Sequence, residues 1–260
     1  MRILITGGNG YIAQSLVKGL SSFPYDITCI TRKDFNLTDK EATEKWFENK
    51  PYFDVVIHTA IKGGSRLKED PGQVCYENIQ MFQNLIYNRN HYGKLIQFGS
   101  GAELNQPSTP YGLSKKIIND LCQPIPGFYN IRIFAVFDEH ELDTRFIKSN
   151  IKRYLNNENL YVFADKMMDF FYMKDLVTLV NHYIKNDNPP KVIDCTYKES
   201  YSLNGIASFI NDLGDNRCRI QQEWIGNFPS YSGKFTDLGL NYVGLKEGIK
   251  QVYNKLNGII

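Results

Sequence analysis

Several things are scarce in this sequence, and each scarcity excludes a class of protein. The five cysteines (Cys29, Cys75, Cys122, Cys195, Cys218) are odd in number and scattered, with no C-x-x-C pair. That argues against a disulfide framework and a structural zinc site and for reduced thiols, so no metal is expected. No apolar run approaches the ~20 residues that cross a bilayer. Charge is nearly balanced at a formal net of +2, which leaves no basic footprint for nucleic acid or an anionic membrane. The 10 prolines and 20 glycines build no linker, repeat or low-complexity tract. The chain enters the apolar stretch Arg2-Ile3-Leu4-Ile5-Thr6 with no leader ahead of it, so a cytoplasmic location is expected. Neither a nucleic acid nor a membrane is an expected partner.

What is present describes a globular enzyme-sized chain. At 260 residues it can bury one large core and a small second lobe. Met1–Thr6 reads as a buried strand, followed by Gly7-Gly8-Asn9-Gly10 and a helical pattern through Leu16, Val17 and Leu20. Strand, glycine turn and helix in that order are the context a dinucleotide site demands, and cofactor binding is expected here. Gly7 permits the tight turn, Gly10 lets a pyrophosphate approach the backbone, and the helix start at Tyr11 and Ile12 faces the phosphates. Further strands are expected at Asp26–Thr31, Asp54–Thr59, Lys94–Phe98 and Tyr129–Phe134, with helices between them, one opened by a capping box at Thr38. This alternation predicts an α/β fold, a doubly wound parallel sheet of the Rossmann type. Its dinucleotide-binding domain would be 1–136, completed by 168–195. A smaller α/β substrate lobe would take 137–167 and 196–260.

Ligands in such sheets bind beyond the carboxyl ends of the strands. Gly7–Gly10, Arg32, Thr59, Ala60 and Ser100 all fall there. Arg32, where an acidic residue would hold a ribose 2′-hydroxyl, favours the 2′-phosphate of NADP(H) over NAD(H), which stays possible. Ser100 ends an apolar strand, and Tyr111 and Lys115 share a helix face four residues apart. An ammonium there favours the phenolate, so Tyr111 can exchange a proton with a carbonyl or alcohol oxygen while Ser100 holds that oxygen. His58, also at a strand end, is read as a structural residue and not a base.

Taken together, Thr6–Ala13, His58-Thr59-Ala60, Asn78, Ser100, Pro110–Lys115 and Asp169-Phe170-Phe171-Tyr172-x-x-Asp175-Leu176 resemble the extended short-chain dehydrogenase/reductases that act on nucleotide sugars. The stretches Thr31–Asp39 and Lys62-Gly63-Gly64 look most like the NADPH-dependent GDP-fucose synthase branch. The resemblance implies catalytic Ser100, Tyr111 and Lys115, and it extends the cofactor set to Asn36, Leu37, Lys62 and Asn78. It also implies a nucleotide-diphosphate sugar as substrate, with Arg145 and Lys234 as candidate contacts, and a homodimer through the helices at 73–89 and 111–121.

Departures from the family pattern choose among reactions. The fucose synthases epimerise with a cysteine two residues past the serine and a histidine farther on; here Ala102 and Arg145 hold those places. Sugar dehydratases place a Glu two residues after the catalytic hydroxyl; here Glu103 is one position late, on the opposite face if the chain stays extended. Reduction of a C4 ketone of a 4-keto-6-deoxy sugar, without 3,5-epimerisation, is therefore expected. The alternatives are an NAD-retaining 4-epimerase and a non-catalytic NADP-binding regulator. Ten residues, 101–110, separate Ser100 from Tyr111, so the cover over the sugar is expected to be short.

Overall fold

The computed structural model describes residues 1–65 and 68–259. The chain divides into two compact units, Met1–Ile133 with Val180–Ile193 and Phe134–Leu179 with Asp194–Ile260. The segment returning to the first unit is thus shorter than the expected 168–195.

The first unit is built on β1 (Arg2–Thr6), β2 (Asp26–Ile30), β3 (Phe53–His58), β4 (Tyr92–Ser100) and β5 (Phe128–Ile133). All of these pair in parallel. With β9 (Val192–Asp194) at the far edge, the sheet order is β2-β1-β3-β4-β5-β9. Strand order reverses between β1 and β3, which opens the crevice where doubly wound sheets take ligands. The crossovers are α1 (Tyr11–Leu20), α2 (Lys40–Glu48), α3 (Gln73–Tyr87), and then α4 (Ala102–Asn105) with α5 (Pro110–Cys122). Ile3, Leu4, Ile5, Val55, Val56, Ile57, Leu95 and Ile96 are buried, as strands covered on both faces must be. Phe47, Phe82 and Leu85 of the covering helices pack with Phe128 of β5 in one core layer.

Three local readings change. The α2 cap is Asp39, whose carboxylate accepts from the Ala42 N–H, and not Thr38. Asp39 leaves its carboxylate one residue nearer the first turn, where the unpaired N–H groups are. The chain does not stay extended after Ser100 but turns at once into α4. Thr109 then caps α5, accepting from the Gly112 N–H, with Pro110 just inside the helix. Finally, the sequence pattern over Glu141–Leu155 reads as one helix with Arg145, Lys148, Lys152 and Arg153 on it, but α6 spans only Phe146–Leu155, five residues shorter at its start.

The second unit holds β6 (Val136–Phe137), α6, β7 (Leu160–Ala164), β8 (Phe171–Tyr172), α8 (Leu203–Asn211), β10 (Ile220–Trp224) and α9 (Leu245–Leu256). The helix α7 (Met173–Lys185) is divided between the units. Two small parallel sheets, β10-β7 and β6-β8, carry the second unit's own core of Phe137, Ile147, Ile151, Val162, Ile206, Ile210 and Ile249. All five cysteines are free thiols. No helix among the described residues is long and apolar enough to cross a membrane.

Candidate active site

The crevice between β1 and β3 is fastened by side chains at the two strand ends. Thr6 Oγ1 accepts from the Ala60 N–H at 3.2 Å and lies 2.8 Å from His58 Nδ1. The Thr59 hydroxyl donates to the Thr6 carbonyl at 2.6 Å. His58 is buried, and burial first, with the Lys115 charge second, holds its pKa down to about 3. It is a neutral strut, as its position at the strand end suggested.

Gly7 turns the chain with φ +70°, and a Cβ there would stand 2.7 Å from the Ala60 backbone. Any side chain would be strained by the dihedral and would push the two loops apart. Beyond the turn, the Gly10 N–H closes onto the Gly7 carbonyl at 2.8 Å. Gly10 is the N-cap of α1 and offers no side chain to its first turn, so that turn presents backbone N–H groups and the positive end of the helix dipole outward.

A cavity of about 450 Å³ opens here. Its lining includes the expected Gly7, Gly10, Arg32, Asn36, Leu37, Thr59, Ala60 and Lys62. Phe35, Ile61 and Met81 add an apolar wall that the sequence reading did not pick out. The signal for Met81 was its place on α3 one turn beyond Asn78. A glycine cradle at a helix start, polar loop ends and a flat apolar wall fit a dinucleotide. A shallower depression of about 370 Å³ around Phe35, Trp46 and Lys50 contains none of the expected site residues.

Asn78 differs from its expected part as a cofactor contact. It is fully buried, and its amide is spent on the Lys62 N–H (2.9 Å), the Lys62 carbonyl (3.1 Å) and the Ser114 hydroxyl (3.1 Å). Ser114 in turn donates to the Tyr111 carbonyl at 2.7 Å. Asn78 therefore ties the loop after β3 to the turn of α5 that carries Tyr111, and acts on a ligand only through that loop.

Ser100, Tyr111 and Lys115 lie in the same unit, at the end of β4 and on the first turns of α5. The Lys115 ammonium is 5.9 Å from the centre of the Tyr111 ring and donates to the Phe98 carbonyl. Burial pushes the Lys115 pKa down to about 8, with Glu103 and then Cys122 pulling it back up. Ser100 Oγ accepts from the Ala102 N–H at 3.2 Å, which leaves its own hydrogen to give to a ligand oxygen. Gly64, with φ +77°, runs beside the tyrosine; a Cβ there would meet the Tyr111 ring at 2.8 Å. None of the three lines the cavity of about 450 Å³, and the loop carrying Lys62 and Gly64 joins its wall to the Tyr111 ring. A phenol, a hydroxyl and an ammonium are the groups that can hold and protonate an oxygen while a hydride is added to its carbon.

Glu103 is the residue misplaced by the extended-chain assumption. In α4 it is only 4% exposed and lies behind Ser100, bonded to the Ser100 N–H and to Arg132. It is held within the fold and is not displayed to a substrate. The signal for the turn was Gly101 after a strand that had already ended. In the second unit, Arg145 is the exposed N-cap residue of α6. Lys234 is also exposed, its N–H bonded to Asp194 at 2.8 Å.

Known proteins resemble this chain over nearly its whole length. The CDP-abequose synthase of Yersinia pseudotuberculosis is 21% identical over 242 residues, covering 83% of this chain and 86% of the relative. The structure of a GDP-mannoheptose C4 reductase from Campylobacter jejuni with NADP bound superposes with a TM-score of 0.81 at 16% identity, covering 98% of each chain. A GDP-L-fucose synthetase from Naegleria fowleri bound to NADP gives 0.79 at 17% identity, over 99% of this chain and 93% of that one. Residues 3–195, from β1 through the last strand of the main sheet, match the NAD dependent epimerase/dehydratase family, and the chain belongs to it as an NAD(P)-dependent oxidoreductase of the nucleotide-sugar enzymes.

Proposed function

We propose that this protein reduces the C4 ketone of a nucleotide-activated 4-keto-6-deoxy sugar with NADPH and does not epimerise C3 or C5. The observation that carries the reading is the setting of Ser100. The residue two places on, Ala102, gives the serine only a backbone N–H, where an epimerising site needs an acid–base side chain. The residues lining the cavity would hold NADPH, which when bound would supply a hydride for the ketone carbon. Tyr111 gives its phenolic proton to the ketone oxygen, and the Ser100 hydroxyl stabilises that oxygen as charge grows on it. Lys115 favours the tyrosinate left behind. Ketone plus hydride plus proton gives the alcohol, and solvent reprotonates Tyr111.

NADPH over NADH is supported by the end of β2. Arg32 lines the cavity. Asp34, two residues beyond Arg32, is turned into its own loop and accepts from the Thr31 N–H (2.8 Å) and hydroxyl (3.0 Å). A carboxylate so engaged does not compete for a ribose 2′-hydroxyl, and the guanidinium suits a 2′-phosphate. The names of the relatives point to CDP- and GDP-linked sugars. Arg145 and Lys234 are the cations we assign to the diphosphate. We assign α3 and α5, with exposed Tyr76, Tyr87 and Leu113, to a homodimer contact. A 4-epimerase is the second reading, favoured by the family match.

Following NADPH absorbance with CDP-, GDP-, dTDP- and UDP-4-keto-6-deoxy sugars tests the proposal. Oxidation with one nucleotide class, lost in Tyr111→Phe, is expected. No oxidation across the panel, with interconversion of C4 epimers by enzyme holding NAD, would establish the second reading instead.

A further inference from the structure

Between β10 and α9 the chain of the second unit forms neither helix nor strand apart from one bridge at Tyr231, yet Tyr231–Lys234 is closely fastened. The Tyr231 N–H donates to the Met167 carbonyl at 2.8 Å, and the Tyr231 carbonyl accepts from the Asp169 N–H at 3.2 Å. Its ring meets Phe134 edge-on, with centroids 5.6 Å apart. Two carboxylates then take the next backbone donors in succession. The Gly233 N–H donates to Asp169 Oδ2 at 2.8 Å, and the Lys234 N–H to Asp194 Oδ2 at 2.8 Å. Asp169 is buried and Asp194 half-buried. There is no slack in this packing, since a Cβ on Gly233 would stand 2.5 Å from both Asp194 Oδ2 and the Phe134 ring.

Successive backbone N–H groups in a coil are a common seat for an anion. Here side chains of the same unit already fill that seat, so what the segment offers outward is the exposed side chain of Lys234. A lysine is a long, freely rotating cation, and a ligand that takes its ammonium must offset the ordering of that chain. Fixing the backbone from which the side chain springs lessens that cost. A charged acceptor fixes an N–H more firmly than a neutral one.

We propose that Asp194 is a positioning residue for the diphosphate of the nucleotide sugar, clamping the Lys234 N–H so that the ammonium is presented from a fixed root, with Asp169 clamping the residue before it. The effect on the ligand rests on the reading of Lys234 as a diphosphate contact; the clamp on the backbone does not.

The sign of the effect separates a clamp from a simple charge. Removing a carboxylate near an anionic ligand favours that ligand, so a loss of affinity in Asp194→Ala reports the lost clamp. Asp194→Asn keeps an oxygen for the Lys234 N–H and loses the charge, and should bind at least as tightly as the wild type. The clamp is read from backbone amide exchange at Lys234 by NMR, which should quicken about tenfold or more in Asp194→Ala. Affinity is read by calorimetric titration with CDP, GDP, UDP and dTDP in the presence of saturating NADPH. Asp194→Ala and Lys234→Met should each weaken the nucleoside diphosphate that binds by about tenfold. The double variant should bind no more weakly than Lys234→Met alone, because Asp194 acts through that lysine. If Asp194→Ala does not fold, Gly233→Ala displaces the same carboxylate and is expected to give the same two changes.

Unchanged exchange at Lys234 overturns the proposal. So does a loss in Lys234→Met that Asp194→Ala does not share, or two losses that add, and either result leaves Lys234 as a diphosphate contact. Wild-type affinity in Lys234→Met removes that contact and the proposal with it.

Discussion

Replacing His58 with Asn distinguishes a buried strut from a working base, because the two differ in how stability responds to acid. His58 Nδ1 meets Thr6 Oγ1, and its ring packs on Phe82 with centroids 6.1 Å apart. Burial, then Lys115, holds the folded-state pKa down to about 3, against ~6.5 in the unfolded chain. Protons therefore bind the unfolded chain first. The neutral histidine costs nothing above the unfolded pKa, and stability is lost as pH falls from there toward the folded value. Linkage over that window gives a loss of about 2 kcal/mol between pH 7 and pH 5. Asparagine places an amide where Nδ1 stands and does not titrate. Urea unfolding of both proteins at several pH values should show the wild type losing about 2 kcal/mol relative to His58→Asn on going from pH 7 to pH 5. Parallel stability curves would refute the argument and return His58 to the list of groups that change charge in the working range.

Arg32→Ala should weaken NADPH binding by roughly ten- to a hundredfold, the worth of a charge-assisted hydrogen bond, and leave NADH unchanged; fluorescence titration reads both, and equal losses would remove Arg32 from the 2′-phosphate. Asn78→Leu strands the Lys62 backbone and the Ser114 hydroxyl, so unfolding free energy should drop by about 1–3 kcal/mol, with weaker NADPH binding; unaltered stability would show that water replaces the amide. Gly64→Ala adds a Cβ against the Tyr111 ring at a left-handed dihedral, costing about 1–2 kcal/mol, and should lower kcat more than it weakens NADPH binding. Tyr111→Phe should lose about 10²- to 10⁴-fold in turnover while NADPH titration stays within a few-fold of wild type.

Much of the site could be read in the sequence because its parts are local. A strand followed by Gly7 and Gly10 and then an apolar helix reads as one unit, since each requirement falls on residues adjacent in the chain. Tyr111 and Lys115 are four apart on a helix, a spacing that fixes their common face in any fold. Arg32 is legible because strand ends in a parallel sheet share one edge. The short connection between Ser100 and Tyr111 was legible as a length and not as a shape; α4 and the Thr109 cap fill it.

Period, spacing and backbone preference over a few residues set the alternation of strands and helices, the glycine turn and the tyrosine–lysine pair, and the motifs strung along the chain carried its resemblance to the family. Only the tertiary structure decided what Asn78 and Glu103 do. Asn78 reaches Lys62 across 16 residues and Ser114 across 36, and Glu103 meets Arg132 across 29. A buried amide or carboxylate takes its meaning from the partner that satisfies it. Such partners are brought together by the pairing of β3, β4 and β5, a long-range arrangement that no local stretch of the chain encodes.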